Sequence, residues 1–193
     1  LDKAQKREWK RMNIDNIINQ SIDMGSVVRE AYCHITVDKS GYIGGKGGRV
    51  QGALRAEIVD PSCILIDPTA RSLRDAGYMI RLGRISEKEA YKNYPKLEAL
   101  SIKSGTSTPE QRGEVYHDND YNTEQDNVFT EWNFYIKQDK DIRKVKLINN
   151  IIVEDSPIKI SRFPIAQFRW RKAAQSCYGL SLMDQLLSLQ KAV

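Results

Sequence analysis

The chain has 193 residues, 40% hydrophobic and 28% charged, with a formal net charge of +5. That balance suits a globular protein of one or two domains and is compatible with a polyanionic partner without requiring one. The apolar runs are only a few residues long, predicting neither a membrane span nor a signal peptide, and three well-separated cysteines exclude a disulfide framework and point to a reducing compartment.

The first element is a predicted helix over residues 2–24, with Trp9, Met12, Ile14, Ile17, Ile18 and Ile22 on one face and Gly25 as its C-terminal cap. A strand follows, in which Ala31, Cys33, Ile35 and Val37 alternate with Tyr32, His34 and Thr36. The glycine-rich residues 38–52 read as a connection with a flexible hairpin tip at Gly44 to Gly48, and strand pattern resumes over 53–59 and 63–66. Ser86 and Glu89 have capping-box spacing at the start of a second helix, and Pro95 marks its end or a kink. Residues 104–127 carry six acidic side chains against one basic, Arg112, and read as an exposed acidic loop. In the next strand Val128, Thr130, Trp132, Phe134 and Ile136 share one face, with Glu131, Asn133 and Lys137 on the other. Further strands follow across a turn at residues 138–141 and a tight turn at Asn149-Asn150. Residues 156–172 are extended and basic, and Ser181 and Asp184 open a last helix with an apolar face of Leu182, Met183, Leu186, Leu187, Leu189 and Val193. The fold class is therefore α+β, with helices at both ends and two groups of antiparallel strands. Both ends of the chain read as helical without caps, so a piece of a longer protein is expected.

The search for chemistry yields little. The run Gly44 to Gly48, "GGKGG", lacks the Ser or Thr after lysine and the following helix that a phosphate loop needs. His34 and Cys33 are neighbours on a strand and face opposite ways, and His117 sits alone in the acidic loop, so no metal site is expected. No nucleophile, base and orienting group come together in sequence, and the expectation is a protein without catalytic, metal or cofactor residues. Asp60 and Asp67 bracket a short strand as two Asp-Pro pairs and, with Glu57, are the acidic candidates for a metal-dependent phosphoesterase. On one regular strand they would lie about 20 Å apart, so a strand with a proline stop at each end is the plainer reading.

Three basic patches remain. The first is Lys3, Lys6, Arg7, Lys10 and Arg11; the second is Lys140, Arg143, Lys144 and Lys146. The third is Lys159, Arg162, Arg169, Arg171 and Lys172, interleaved with Phe163, Phe168 and Trp170, and it is the candidate contact for DNA or a partner. The alternative for each is a solvated surface whose long side chains cover apolar neighbours.

Three stretches together resemble tailed-bacteriophage portal proteins, the head-tail connectors. "DPSCILIDPTARSLRDAGYMI" is similar to their Asp-Pro-x-Ala…Asp-Ala-x-Tyr stretch through Asp67, Pro68, Ala70, Asp75, Ala76 and Tyr78. "ISEKEAYKNYP" resembles the segment that follows it, through Tyr94 and Pro95. "FPIAQFRWRKAAQSCYGLSLMDQLLSLQKAV" resembles the segment leading into a long helix, through Pro164, Phe168, Tyr178, Gly179, Ser181 and Gln190. The resemblance spans residues 53–193 and lacks the N-terminal part, the channel-lining helix and loop, and the crown typical of the family.

The resemblance implies a homo-oligomeric ring, typically of twelve copies, at one vertex of the virion capsid. Double-stranded DNA would pass through its centre, with terminase and head-tail connector proteins docking on it and no cofactor or membrane involved. It implies residues 1–85 as part of an α/β wing, 86–127 as a stem helix and acidic loop, 128–168 as a β-rich clip, and 169–193 as a return segment starting a second stem helix. Leu182, Leu186 and Leu189 become the candidates for subunit packing. The expectation from another class is a free-standing nucleic-acid-binding module using the third patch; the phosphoesterase is a third.

Overall fold

The computed structural model of the chain describes residues 2–45, 48–99 and 128–190, without the side chains of Asp2, Ala4, 38–45, 48–51, Ser188 and Leu189. Among these residues the fold is α+β, with five α-helices and three antiparallel sheets. The chain forms two compact units. One comprises Leu1–Pro61, Pro68–Ala76 and Arg162–Val193; the other comprises Ser62–Asp67 and Gly77–Ser161. These units cut across the linear spans 1–85, 86–127, 128–168 and 169–193.

The first unit opens with α1 (Asp2–Arg11) and α2 (Ile14–Val28) rather than one helix. Asn13 sits in the left-handed region at φ 52°, a conformation asparagine tolerates better than most residues, and this breaks the expected single helix. Gly25 is not the cap: α2 runs on to Val28, and the Arg29 N–H closes it on Gly25 O at 3.0 Å. Gly25 is instead a contact point, because a Cβ there would lie 2.7 Å from Phe168 Cε1. Strand β1 (Glu30–Gly45) pairs with β2 (Gly48–Val59) as a long hairpin and, on its other edge, with the strand Ile165–Arg169. The hairpin expected at "GGKGG" is present as far as the pair Gly45 and Gly48; Lys46 and Gly47 lie outside the described residues. Tyr32 and His34 point to one side of this sheet and are fully buried, whereas Ile35 and Val37 on the opposite side are exposed.

The second unit is a five-stranded sheet. Its strands are β3 (Ile64–Ile66), β4 (Tyr78–Ser86), β5 (Val128–Gln138), β6 (Asp141–Ile148) and β7 (Ile151–Ile158), ordered as in the chain. The expected second group of strands, 128–168, thus gains β3 and β4. It loses residues 165–169, whose hydrogen bonds go to β1. Asn149 and Asn150 have φ 47° and 64°, the left-handed pair that a tight two-residue turn between β6 and β7 needs. Ser86 caps α3 (Glu87–Asn93) by accepting the Glu89 N–H at 3.3 Å, as the capping spacing predicts. Pro95 marks the break as expected: α3 stops at Asn93, and Pro95 begins a second short helix, α4 (Pro95–Ala99), where its missing N–H costs no hydrogen bond. The expected acidic loop, 104–127, lies outside the described residues.

The core face of β5 is the one that carries Glu131 and Asn133. Phe129, Asn133 and Tyr135 are the buried positions, while Trp132 and Phe134 stay half-exposed and stack on each other at 6.4 Å. Helices α3 and α4 lie over the Phe129 side, where Ala90, Leu97, Phe129 and Ile148 form a core cluster and Tyr91 meets Phe129 edge-on at 5.8 Å. Polar residues survive on that side because they are satisfied. Asn133 donates to Glu131, whose carboxylate also takes Lys146 Nζ at 3.2 Å. In register the sheet's other face holds Leu65, Ile80, Leu82, Trp132, Phe134, Val145 and Leu147, together with Arg84, Thr130, Arg143 and Asp155.

Candidate nucleic-acid interface

The third basic patch lies largely on the returning segment of the first unit. Strand β8 (Ile165–Arg169) is seated on β1 with Glu30 opposite Arg169 and Tyr32 opposite Gln167. Trp170 N–H then donates to Arg29 O at 3.1 Å, and β9 (Arg171–Lys172) pairs with β10 (Gly179–Leu180) as a small ribbon. The ribbon lies close to the end of α2: a Cβ on Gly179 would be 2.6 Å from Arg29 O and 3.2 Å from Arg171 O. Beyond it Ser181 and Asp184 open α5 (Leu182–Gln190) with a reciprocal capping box. Ser181 N–H donates to Asp184 Oδ2 at 3.1 Å, and Asp184 N–H donates to Ser181 Oγ at 2.9 Å. Those Ser181 bonds hold the Asp184 carboxyl below the usual range, aided by Arg29, whose Nε lies 3.0 Å from Asp184 Oδ2.

The cations of this patch divide by role. Arg169 is half-buried and reaches the carbonyls of Ser176 and Cys177 at 3.4 and 3.3 Å, so its charge holds the loop and is not presented outward. Arg171 and Lys172 are exposed and have no acidic partner among the described residues. Trp170 and Tyr178 beside them are also exposed. Arg162 is exposed in this unit; Lys159 is exposed in the other, just past β7. Two unpaired cations flanked by two exposed aromatic rings can hold phosphate and stack a base without reading sequence.

Three of the four cations of the second patch are paired within its own sheet, and Lys140 is exposed at the turn. Arg143 grips Asp155 with two bonds of 2.8 and 2.6 Å, Lys144 meets Glu154 at 2.9 Å, and Lys146 meets Glu131 and lies over the Tyr94 ring. In the first patch Lys3, Arg7 and Lys10 are exposed along α1, while Arg11 is tied to Glu8 at 2.8 Å and to Leu54 O.

Behind the ribbon is a buried polar clasp that sequence reasoning missed. Glu30 is only 7% exposed. Its Oε2 accepts from Gln167 Nε2 at 3.0 Å, and the Tyr32 hydroxyl and Gly179 N–H also bond to its carboxylate. The Gln167 amide reaches Cys177 O at 2.9 Å and the Tyr32 hydroxyl at 3.2 Å. Burial is the largest influence on Glu30 and pushes its pKa up, outweighing its hydrogen bonds and the nearby Arg169. Burial likewise raises Tyr32 and the Cys177 thiol. The signal in the sequence is faint: Glu30 and Tyr32, like Gln167 and Arg169, are two apart on strands, and only the pairing of those strands brings them together.

The acidic candidates have other work. Asp67 accepts the Gly77 N–H at 3.1 Å and donates its own N–H to Tyr78 O, closing the loop between β3 and β4. Asp60 is exposed in the other unit. His34 is buried with Nδ1 3.4 Å from Glu57. Among the described residues no three His, Cys, Asp or Glu side chains are placed to hold a metal ion, and no helix is long and apolar enough to cross a membrane. His117 lies outside the described residues. The chain matches no known protein-family profile and no curated protein.

Proposed function

We propose that this chain is part of a tailed-phage portal subunit, a non-catalytic ring component through which double-stranded DNA is packaged and ejected at the capsid vertex. In this reading terminase and the head-tail connector proteins dock on the assembled ring. The observation that carries the reading is the open apolar face of α5, where Leu182, Met183, Leu186 and Leu187 are 39 to 54% exposed. A ring whose contacts are head-to-tail needs two different surfaces on each subunit. The α5 face supplies one, and the half-buried Trp132 and Phe134 side of the five-stranded sheet is the candidate for another. Leu182 and Leu186 are the packing residues; the Leu189 side chain lies outside the described residues.

The residues that carry the family resemblance also have physical tasks. Ala70 and Ala76 are buried, Asp67 closes a loop, Phe168 rests on Gly25, and Ser181 caps α5. On the portal reading, residues 86–100 and α5 belong to the stem. The clip takes in β4 with β5–β7 and gives up β8 to the wing. Leu186→Asp is expected to reduce ring assembly of the complete protein while leaving its circular dichroism unchanged; undiminished assembly would remove α5 from the interface.

A second reading, a nucleic-acid-binding module without a ring, is favoured by the unpaired Arg171 and Lys172 beside Trp170 and Tyr178. If both cations meet phosphates, Arg171→Ala with Lys172→Ala should flatten the salt dependence of duplex DNA binding by a log-log slope of about 1.8. An unchanged slope discards that surface. Arg169 is left intact in this test because it holds the loop.

A further inference from the structure

The geometry points to Glu30 as a proton-sensitive clasp that sets how firmly the ribbon bearing Arg171 and Lys172 is held against the first unit. The inference stands apart from the ring reading, since it concerns how the ribbon is held and not what the ribbon meets.

Glu30 gathers donors from each part of the returning segment. Gln167 comes from β8, Gly179 from β10, and Tyr32 from β1 itself. The charged and titratable groups around it are Arg169, Tyr32 and Cys177, with Asp75 acting on Cys177 from residues 68–76, and the Arg29–Asp184 pair adjacent in the chain. Arg169, the cation that acts on it, directs its Nη1 to the carbonyls of Ser176 and Cys177. The ionised carboxylate is therefore a buried charge with hydrogen bonds but no ion pair among the described residues.

The sign follows from burial. The folded state binds the Glu30 proton more tightly than the unfolded or locally opened state does. Stability from this group is full below the ordinary glutamate range and is lost as pH rises through the higher folded value. Lifting β8 and β10 from β1 hydrates the carboxylate, so the clasp opens more readily as pH rises. Glutamine at position 30 keeps an acceptor for Gln167 and Gly179 without a charge.

The test is hydrogen exchange of the intact chain at pH 5 and pH 8, corrected for the intrinsic exchange rate. In the wild type the amides of Trp170 and Gly179 are expected to be on the order of tenfold better protected at pH 5. In Glu30→Gln their protection should be the same at both values. A variant that keeps the wild-type dependence, or a wild type that shows none, overturns the inference. A carbon-13 titration of the Glu30 carboxyl in the wild type gives a second readout that needs no variant. A midpoint above the ordinary glutamate range supports the clasp, and one at or below that range overturns it.

Discussion

Gly179→Ala is expected to lower stability by about 3 kcal/mol, the upper part of the range for forcing an extra carbon into a packed site. The new Cβ would lie 2.6 Å from Arg29 O and 3.2 Å from Arg171 O, and both obstacles are backbone. Neither can swing aside as a side-chain end does. Relief requires moving β10 from α2, which also strains the bond from Trp170 N–H to Arg29 O. Urea denaturation checks the value, with Gly83→Ala as the control. A Cβ on Gly83 meets Glu131 atoms at an ordinary 3.8 Å, so that variant should lose little or gain slightly. Equal effects at the two glycines would refute the close approach of the ribbon to α2.

Phe129→Ala should cost roughly 3–5 kcal/mol, because it empties the centre of a closed core. Phe129 is 1% exposed and packs with Ala90, Leu97 and Ile148, with Tyr91 against its ring. Trp132→Ala, three residues along the same strand, should cost less in the isolated chain despite the larger side chain removed, because Trp132 is only partly buried. Thermal melting of both variants decides the point. A larger loss at Trp132 would show that the sheet buries the opposite face.

That comparison marks where sequence reasoning ends. Alternation in β5 marks the strand and its two faces but not which of them faces the core. The choice is made by α3 and α4, which cover Phe129, and by Lys146 and Glu131, which satisfy the polar positions beneath them. The local signals held where their partners are local. Ser86, the Ser181 and Asp184 box, and the Asn149-Asn150 turn each work within a few residues. Gly25 failed as a cap because its partner, Phe168, is more than a hundred residues away. The clasp was invisible for the same reason: Glu30 and Gln167 meet only once β8 returns to β1.

The basic patches show how little charge alone decides. The second has four cations in seven residues, yet Arg143, Lys144 and Lys146 are all paired across its own sheet. The third presents fewer outward charges than its sequence suggests, because Arg169 turns inward. Among the described residues Arg171 and Lys172 are left unpaired, and it is these two, not the patch's full count, that the salt-dependence test addresses.

Electron microscopy of the complete protein under assembly conditions tests the ring most directly. Closed rings of fixed copy number are expected if the portal proposal holds, with Leu186→Asp depleting them. A homogeneous monomer at the highest concentration reached would contradict it.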